Sequence, residues 1–168
     1  MKKVLILIMS SLMMIALLSS CAQAPVTKAD TTTPTVKADD GGDFAVKAIN
    51  NQVKGFAIDG FPGGSAKLSK NEDLENMKKI VALVKPIIDQ VPAGYVMQIT
   101  GHAADYDGKA KQMSVSKARA ERVYSELKKA GVAPAKMTYK GVGINEPASG
   151  YDAKDFKQRR VSFKAVKK

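Results

Sequence analysis

Cysteine occurs once in these 168 residues, at Cys21, and histidine once, at His102. One cysteine excludes an intramolecular disulfide, so an exported chain of this composition must fold on its apolar core alone. One histidine leaves little for a metal site, which would have to be built from His102, Asp105 and Asp107 without a second imidazole or a thiolate. No metal and no cofactor are expected. No serine stands in a nucleophile-elbow sequence that could work with His102, and the loop after it lacks a phosphate-cradling glycine pattern. An enzyme is not expected, and His102 reads as a structural residue that hydrogen-bonds across a strand end.

What is present begins with a leader. Lys2 and Lys3 precede an almost unbroken apolar run from Val4 to Leu18, which then meets Leu18-Ser19-Ser20-Cys21. A basic start and a short apolar core read as a signal peptide over residues 1–20, too short and wrongly flanked for a comfortable membrane span. The Leu-Ser-Ser-Cys ending looks like a bacterial lipobox, which implies lipidation of Cys21 and a membrane anchor. More than one acyl chain makes such an anchor stable, at about 0.8 kcal/mol per buried methylene. Residues 21–43 are rich in Thr, Ala, Asp and Pro and cannot bury enough surface to offset their ordering entropy. They read as a flexible tether with a typical reach of about 25 Å. Residues 44–168 are enough for one domain with a single core.

Without Lys2 and Lys3 the chain keeps 25 of its 27 basic residues against 16 acidic ones, a formal +9. The tether holds Lys28 and Lys37 against Asp30, Asp39, Asp40 and Asp43, so the folded part is near +11. A basic surface suits polyanions, and export removes nucleic acid from the natural partners. The lysines are nevertheless scattered over helix faces, as on any solvated surface.

Periodicity supplies the fold. Phe44 to Gln52 reads as a short helix or an irregular lead-in. Val53 to Asp59 alternates as a first strand, and Gly60, Pro62, Gly63 and Gly64 break it. Ser69 with Glu72 forms a capping-box pattern ahead of Leu74, Met77, Val81, Val84 and Ile88 at helical spacing. Pro86 is expected to kink that helix or end it near Lys85. Tyr95, Met97 and Ile99 alternate with Val96, Gln98 and Thr100 in a second strand that Gly101 ends. A second helix is expected from Ser114 or Val115 to Ala130, burying Val115, Ala118, Val123, Leu127 and Ala130, with Gly131 and Pro134 as its stop. Met137 to Val142 and Arg160 to Val166 complete the strands, with a helical turn near Ala153 to Lys157. The order β-α-β-α-β-β predicts an α/β two-layer sandwich, two main helices packed on one mixed sheet.

The stretch YVMQITGHAADYDGKAKQMSVSKAR, from Tyr95 to Arg119, brings a strand end, a polar loop and a helix start together. Its Gly101-His102 and its Val115-Ser116 with Arg119-Ala120 are followed by Gly131-Val132, Gly141-Val142-Gly143, Glu146-Pro147 and Gln158-Arg159-Arg160-Val161. In order and spacing this resembles the OmpA-like peptidoglycan-binding domain, over roughly Val53 to Val166.

The resemblance implies the same sandwich, and a ligand: the zwitterionic diamino acid of a peptidoglycan stem peptide. A receptor for it needs a carboxylate for the ammonium and a guanidinium fork for the acid. Carried onto this chain, the arginines are Arg119 and Arg159, with Arg160 beside it, while Gln112 and Gln158 stand where the family has Asn. The family's Asp falls on Ala104 when the loop is counted without gaps. With one inserted residue it falls on Asp105, and Gly108 then matches the loop glycine. The implied site is Asp105, Gln112, Arg119 and Arg159. It implies an outer-membrane lipoprotein whose domain faces the periplasm and holds membrane to wall. The alternative is a surface-exposed lipoprotein with a degenerate pocket that binds a host or envelope protein partner.

Overall fold

In the computed structural model residues 41–106 and 108–168 are described. The leader, Cys21, the tether as far as residue 40, and Asp107 lie outside the described residues.

Val46, Ile49 and Val53 fall on one stripe of helix α1, Gly42–Val53. Val53 completes that stripe at 1% exposure, which is why it does not open a strand as its alternation with Lys54 suggested. The first strand is correspondingly short, β1 being Ala57–Ile58. Helix α2, Asn71–Asp89, starts after an extended Lys70 with no side-chain cap, so the Ser69 and Glu72 pattern does not form a capping box. It also continues through Pro86. The ring and the Ala82 carbonyl it releases both face solvent, while Val84 and Ile88 on the opposite side are fully buried and hold the last turn in place.

Strand β2, Tyr95–Gly101, is central and buried along nearly its whole length. It runs parallel to β3, Met137–Gly141, and antiparallel to β4, Val161–Lys167, which in turn pairs with β1, for a sheet order β1-β4-β2-β3. Helix α3, Lys109–Lys129, lies between β2 and β3 in sequence, as a parallel pair requires. The architecture is three helices on a four-stranded mixed sheet, α1 joining the two expected ones. The core runs between helices and sheet through Met77, Val84, Ile88, Met97, Ile99, Val123, Leu127 and Phe163.

Two details hold α1 to the sheet. β1 covers only Val161 and Ser162, so further along β4 an edge is left unpaired. There the Asn50 carboxamide donates to the Ala165 carbonyl at 3.1 Å and accepts from its N–H at 2.7 Å, doing for one residue what a neighbouring strand would do. Tyr95 also hydrogen-bonds to Asp43 in the first turn of α1.

Helix α3 begins at Lys109, five residues before Ser114, because Lys109 to Met113 are good helix formers behind an extended Gly108. Its buried face is also rotated from the expected one. Val115 is half-buried and Ala118 and Ala130 are exposed, whereas Gln112, Ser116, Arg119, Ala120, Val123 and Leu127 are buried. Val123 and Leu127 lie in the core, as their spacing predicts. The geometry of the strand ends, not hydrophobicity, buries Gln112, Ser116 and Arg119 in place of Val115, Ala118 and Ala130.

Candidate functional site

β2 and β3 end side by side on paired glycines, Gly101 and Gly141. A Cβ on Gly101 would stand 1.9 Å from the Ser116 carbonyl oxygen, and one on Gly141 would stand 2.3 Å from the Lys117 nitrogen. Helix α3 therefore lies directly on strand backbone. Ser116 fits the seam because it is small, and its hydroxyl donates to the Met113 carbonyl while accepting the Gly143 N–H, each at 2.9 Å. One turn on, the same seam carries Arg119 inward.

Arg119 is 1% exposed. Its Nε donates to the Ser65 carbonyl at 3.0 Å, Nη1 to the His102 carbonyl at 2.8 Å and Nη2 to the Pro62 carbonyl at 2.8 Å. Its guanidinium also lies 5.5 Å from the centre of the Phe61 ring, a cation–π contact. Among the described residues no carboxylate pairs with it. Burial, and then the nearby Arg159, push its pKa down to about 10, which leaves it cationic at neutral pH. A guanidinium has five N–H donors, so three bonds leave one N–H on each Nη for another acceptor. Arg159 donates from Nε to the Phe61 carbonyl at 2.8 Å, so the loop at residues 60–65 is gripped by both arginines.

The two guanidinium groups open on a cavity of about 440 Å³, whose wall also includes Gln112, Lys111, Tyr106 and Ala104. Gln112 is buried, and its Nε2 donates to Asp105 Oδ1 at 2.9 Å. Asp105 itself is exposed and is not on that wall. It lines an adjoining cavity of about 290 Å³, with Gly143, Ile144 and Asn145, and Gln112 is the partition between the two. The structure thus brings Gln112, Arg119 and Arg159 to one cavity, places Asp105 behind Gln112, and puts Ala104 on the wall.

His102 is 2% exposed and fully engaged. Its Nδ1 lies 3.0 Å from the Glu146 carbonyl, which can only accept, so Nδ1 carries the proton and Nε2 accepts from the Ser162 hydroxyl at 2.8 Å. Burial, with Arg160 as the second cause, lowers its pKa to about 4, so it is neutral at pH 7. With both nitrogens committed it is a strut, and its carbonyl holds Arg119. Arg160 sits outside the cavity and donates to the same Glu146 carbonyl at 3.1 Å. Gln158 is 2% exposed and pins the loop before it. Its Oε1 accepts from the Ala148 N–H, and Nε2 donates to the carbonyls of Tyr151 and Asp152. Sequence reasoning missed the part played by Pro62 and Ser65, whose carbonyls hold Arg119. Backbone acceptors leave no residue-type signal, and the glycines and proline around them read only as a break. It also missed Tyr106 and Lys111 on the wall.

The OmpA family model matches residues 60–160. The chain belongs to the OmpA family. The matched range runs from the loop that holds Arg119 to Arg160, so it contains Asp105, Gln112, Arg119 and Arg159, while α1, β1 and β4 lie outside it. No curated protein matches by sequence. Among solved structures, the OmpA-like domain of FopA1 from Francisella tularensis is 21% identical with a TM-score of 0.52, over 66% of this chain and 69% of that one. The C-terminal domain of Helicobacter pylori MotB is 17% identical with a TM-score of 0.55, over 67% of this chain and 85% of that one. The peptidoglycan-associated lipoprotein from Burkholderia pseudomallei is 18% identical with a TM-score of 0.53, over 73% of this chain and 99% of that one. These likenesses support an OmpA-like fold, α/β with helices on a mixed sheet. Among the described residues no helix is long and apolar enough to cross a membrane, and no group of three or more His, Cys, Asp or Glu could hold a metal ion.

Proposed function

We propose that this OmpA-family domain binds peptidoglycan non-covalently through the diamino acid of the stem peptide. The observation that carries the reading is Arg119: a buried cation at a cavity, held by three carbonyls and by no carboxylate among the described residues, with one N–H on each Nη still to satisfy. A buried guanidinium without a counter-ion is stabilised by an incoming carboxylate, and Arg159 on the same wall adds a second cation. The stem diamino acid supplies that carboxylate. Its ammonium, a few ångströms away, reaches across Gln112 to Asp105, which also orients the Gln112 amide. Asp105 and Gln112 thus act at the partition and Arg119 and Arg159 at the floor. This is recognition rather than catalysis, since His102 has no nitrogen to spare as a base.

The membrane half of the proposal rests on sequence. Lipidation at Cys21 holds the chain to the outer membrane, and the domain faces the periplasm and grips the wall. Cys21→Ser is expected to move the protein from the membrane fraction to the soluble one, and unchanged membrane partition refutes the anchor.

Titration with a soluble stem peptide, followed by NMR shifts, tests the site. Saturable binding that Arg119→Lys and Arg159→Met each weaken supports diacid capture. No binding at millimolar peptide rejects it. One observation favours a second reading, a lipoprotein that binds an envelope or host protein: Ala104 stands on the cavity wall, and no carboxylate does among the described residues. Purified sacculi separate the two, since a wall binder sediments with them and a protein-binding lipoprotein stays in the supernatant. The comparison is made at raised salt, because a chain of this net charge adheres to anionic polymers without a pocket.

A further inference from the structure

Seven large apolar side chains are exposed among the described residues: Phe44, Leu83, Tyr106, Met113, Ile144, Tyr151 and Phe156. Five of the seven belong to the loops and helix start around the two cavities. Tyr106 is on the wall of the larger cavity yet 64% exposed, so its ring stands at the mouth. Tyr151 and Phe156, 51% and 52% exposed, sit on the loop that Gln158 pins from inside. That loop is tied to the Tyr106 loop by the Asp105 N–H, which donates to the Ala153 carbonyl at 2.9 Å. Lys157 lies 5.1 Å from the centre of the Phe156 ring and bonds Asp59 at 2.7 Å, which fixes the far end.

We propose that Tyr106 at the cavity mouth, continued by Tyr151 and Phe156 on the adjoining loop, stacks against the aminosugars of the glycan that carries the stem peptide. The inference rests on the stem-peptide reading and adds a second ligand element to it. Exposed aromatic faces, with a hydroxyl at the edge in the two tyrosines, suit a surface that is apolar on one face and wet on the other. A pyranose has that character, with C–H groups on its faces and hydroxyls at its rim. The reach also agrees. A cavity of about 440 Å³ is roughly 8 Å across, and two extended residues span about 7 Å. A stem whose third residue sits on Arg119 therefore brings its first residue, and the sugar attached to it, to the mouth where Tyr106 stands. The cavity lining also includes Gly63 and Gly64, without side chains to obstruct a bulky ring.

The test compares, in the full chain, the affinities for a free stem peptide and for the same peptide joined to its disaccharide. In the wild type the disaccharide form is expected to bind about three- to tenfold more tightly, the range of one aromatic stacking contact. That ratio should fall to near one in Tyr106→Ala and persist in Tyr106→Phe, which keeps the ring; taking the ratio within each variant removes any effect on the peptide itself. Equal binding of both ligands in the wild type, or a ratio that survives Tyr106→Ala, overturns the sugar contact and leaves the stem-peptide site standing. If neither ligand binds, both readings fall together.

Discussion

Replacing Arg119 with Met tests whether one buried cation organises this end of the molecule. Methionine keeps an apolar stem beside Phe61 but removes donors from the carbonyls of Pro62, Ser65 and His102, which stand 2.8, 3.0 and 2.8 Å from the guanidinium. Hydrogen bonds from a charged donor contribute about 1.5–3 kcal/mol each, so the gross loss is about 4–9 kcal/mol. Against it stands the desolvation of the buried charge, several kcal/mol, which the variant no longer bears. Carbonyls near the cavity also regain water. The net loss should be about 3–5 kcal/mol, a large share of the roughly 5–15 kcal/mol that holds a domain of this size. In urea, with a slope of about 1–3 kcal/mol per molar, this moves the midpoint down by about 2 M. Arg119→Lys keeps the charge but cannot span three acceptors, and should fall between the two. Arg159→Met removes one bond, to Phe61, and should lose only about 1–2 kcal/mol while weakening stem-peptide binding tenfold or more. A loss below about 1 kcal/mol in Arg119→Met would refute the claim that this side chain holds the 60–65 loop to the strand end.

Acid should loosen the same region. The folded pKa of His102, about 4, lies below its ordinary value of 6.5, so its contribution is complete above pH 6.5 and is lost as pH falls toward 4. The loss approaches about 3 kcal/mol, and His102→Gln should flatten the denaturation midpoint across that window. Gly141→Ala places a methyl 2.3 Å from the Lys117 nitrogen and should cost about 3 kcal/mol or more by thermal unfolding; a neutral result contradicts the tight seam between α3 and β3. Asn50→Ala leaves the Ala165 N–H and carbonyl without their partner and should cost about 1–2 kcal/mol, with faster amide exchange at Ala165 as the local readout. Asp105→Asn should keep the Gln112 contact but lose affinity for the ammonium, so stem-peptide binding should weaken with stability unchanged.

Much of the fold was legible in the sequence because burial writes a period into it. The stripes through Met77, Val81, Val84 and Ile88 and through Tyr95, Met97 and Ile99 name their elements without reference to the rest of the chain. Local rules failed where tertiary contacts outweighed them. Pro86 did not end α2 because its defect faces water while Ile88 is clamped in the core. Val53 left the first strand because the helix before it needed a last apolar residue. In α3 the apolar residues Val115 and Ala118 pointed to one face, but close approach to Gly101 and Gly141 turned another toward the sheet.

For the candidate site the division is similar. The residue types, Gln112, Arg119 and Arg159 with glycines at the strand ends, stood in the sequence in the order of the OmpA family. Sequence alone left Ala104 and Asp105 as alternatives, because a one-residue shift in a loop changes no local preference. Tertiary structure decided that Ala104 is on the cavity wall and Asp105 is behind Gln112. It also decided that Arg119 is held by three backbone carbonyls. Every residue carries such a carbonyl, so only the folded chain shows which of them converge on one guanidinium.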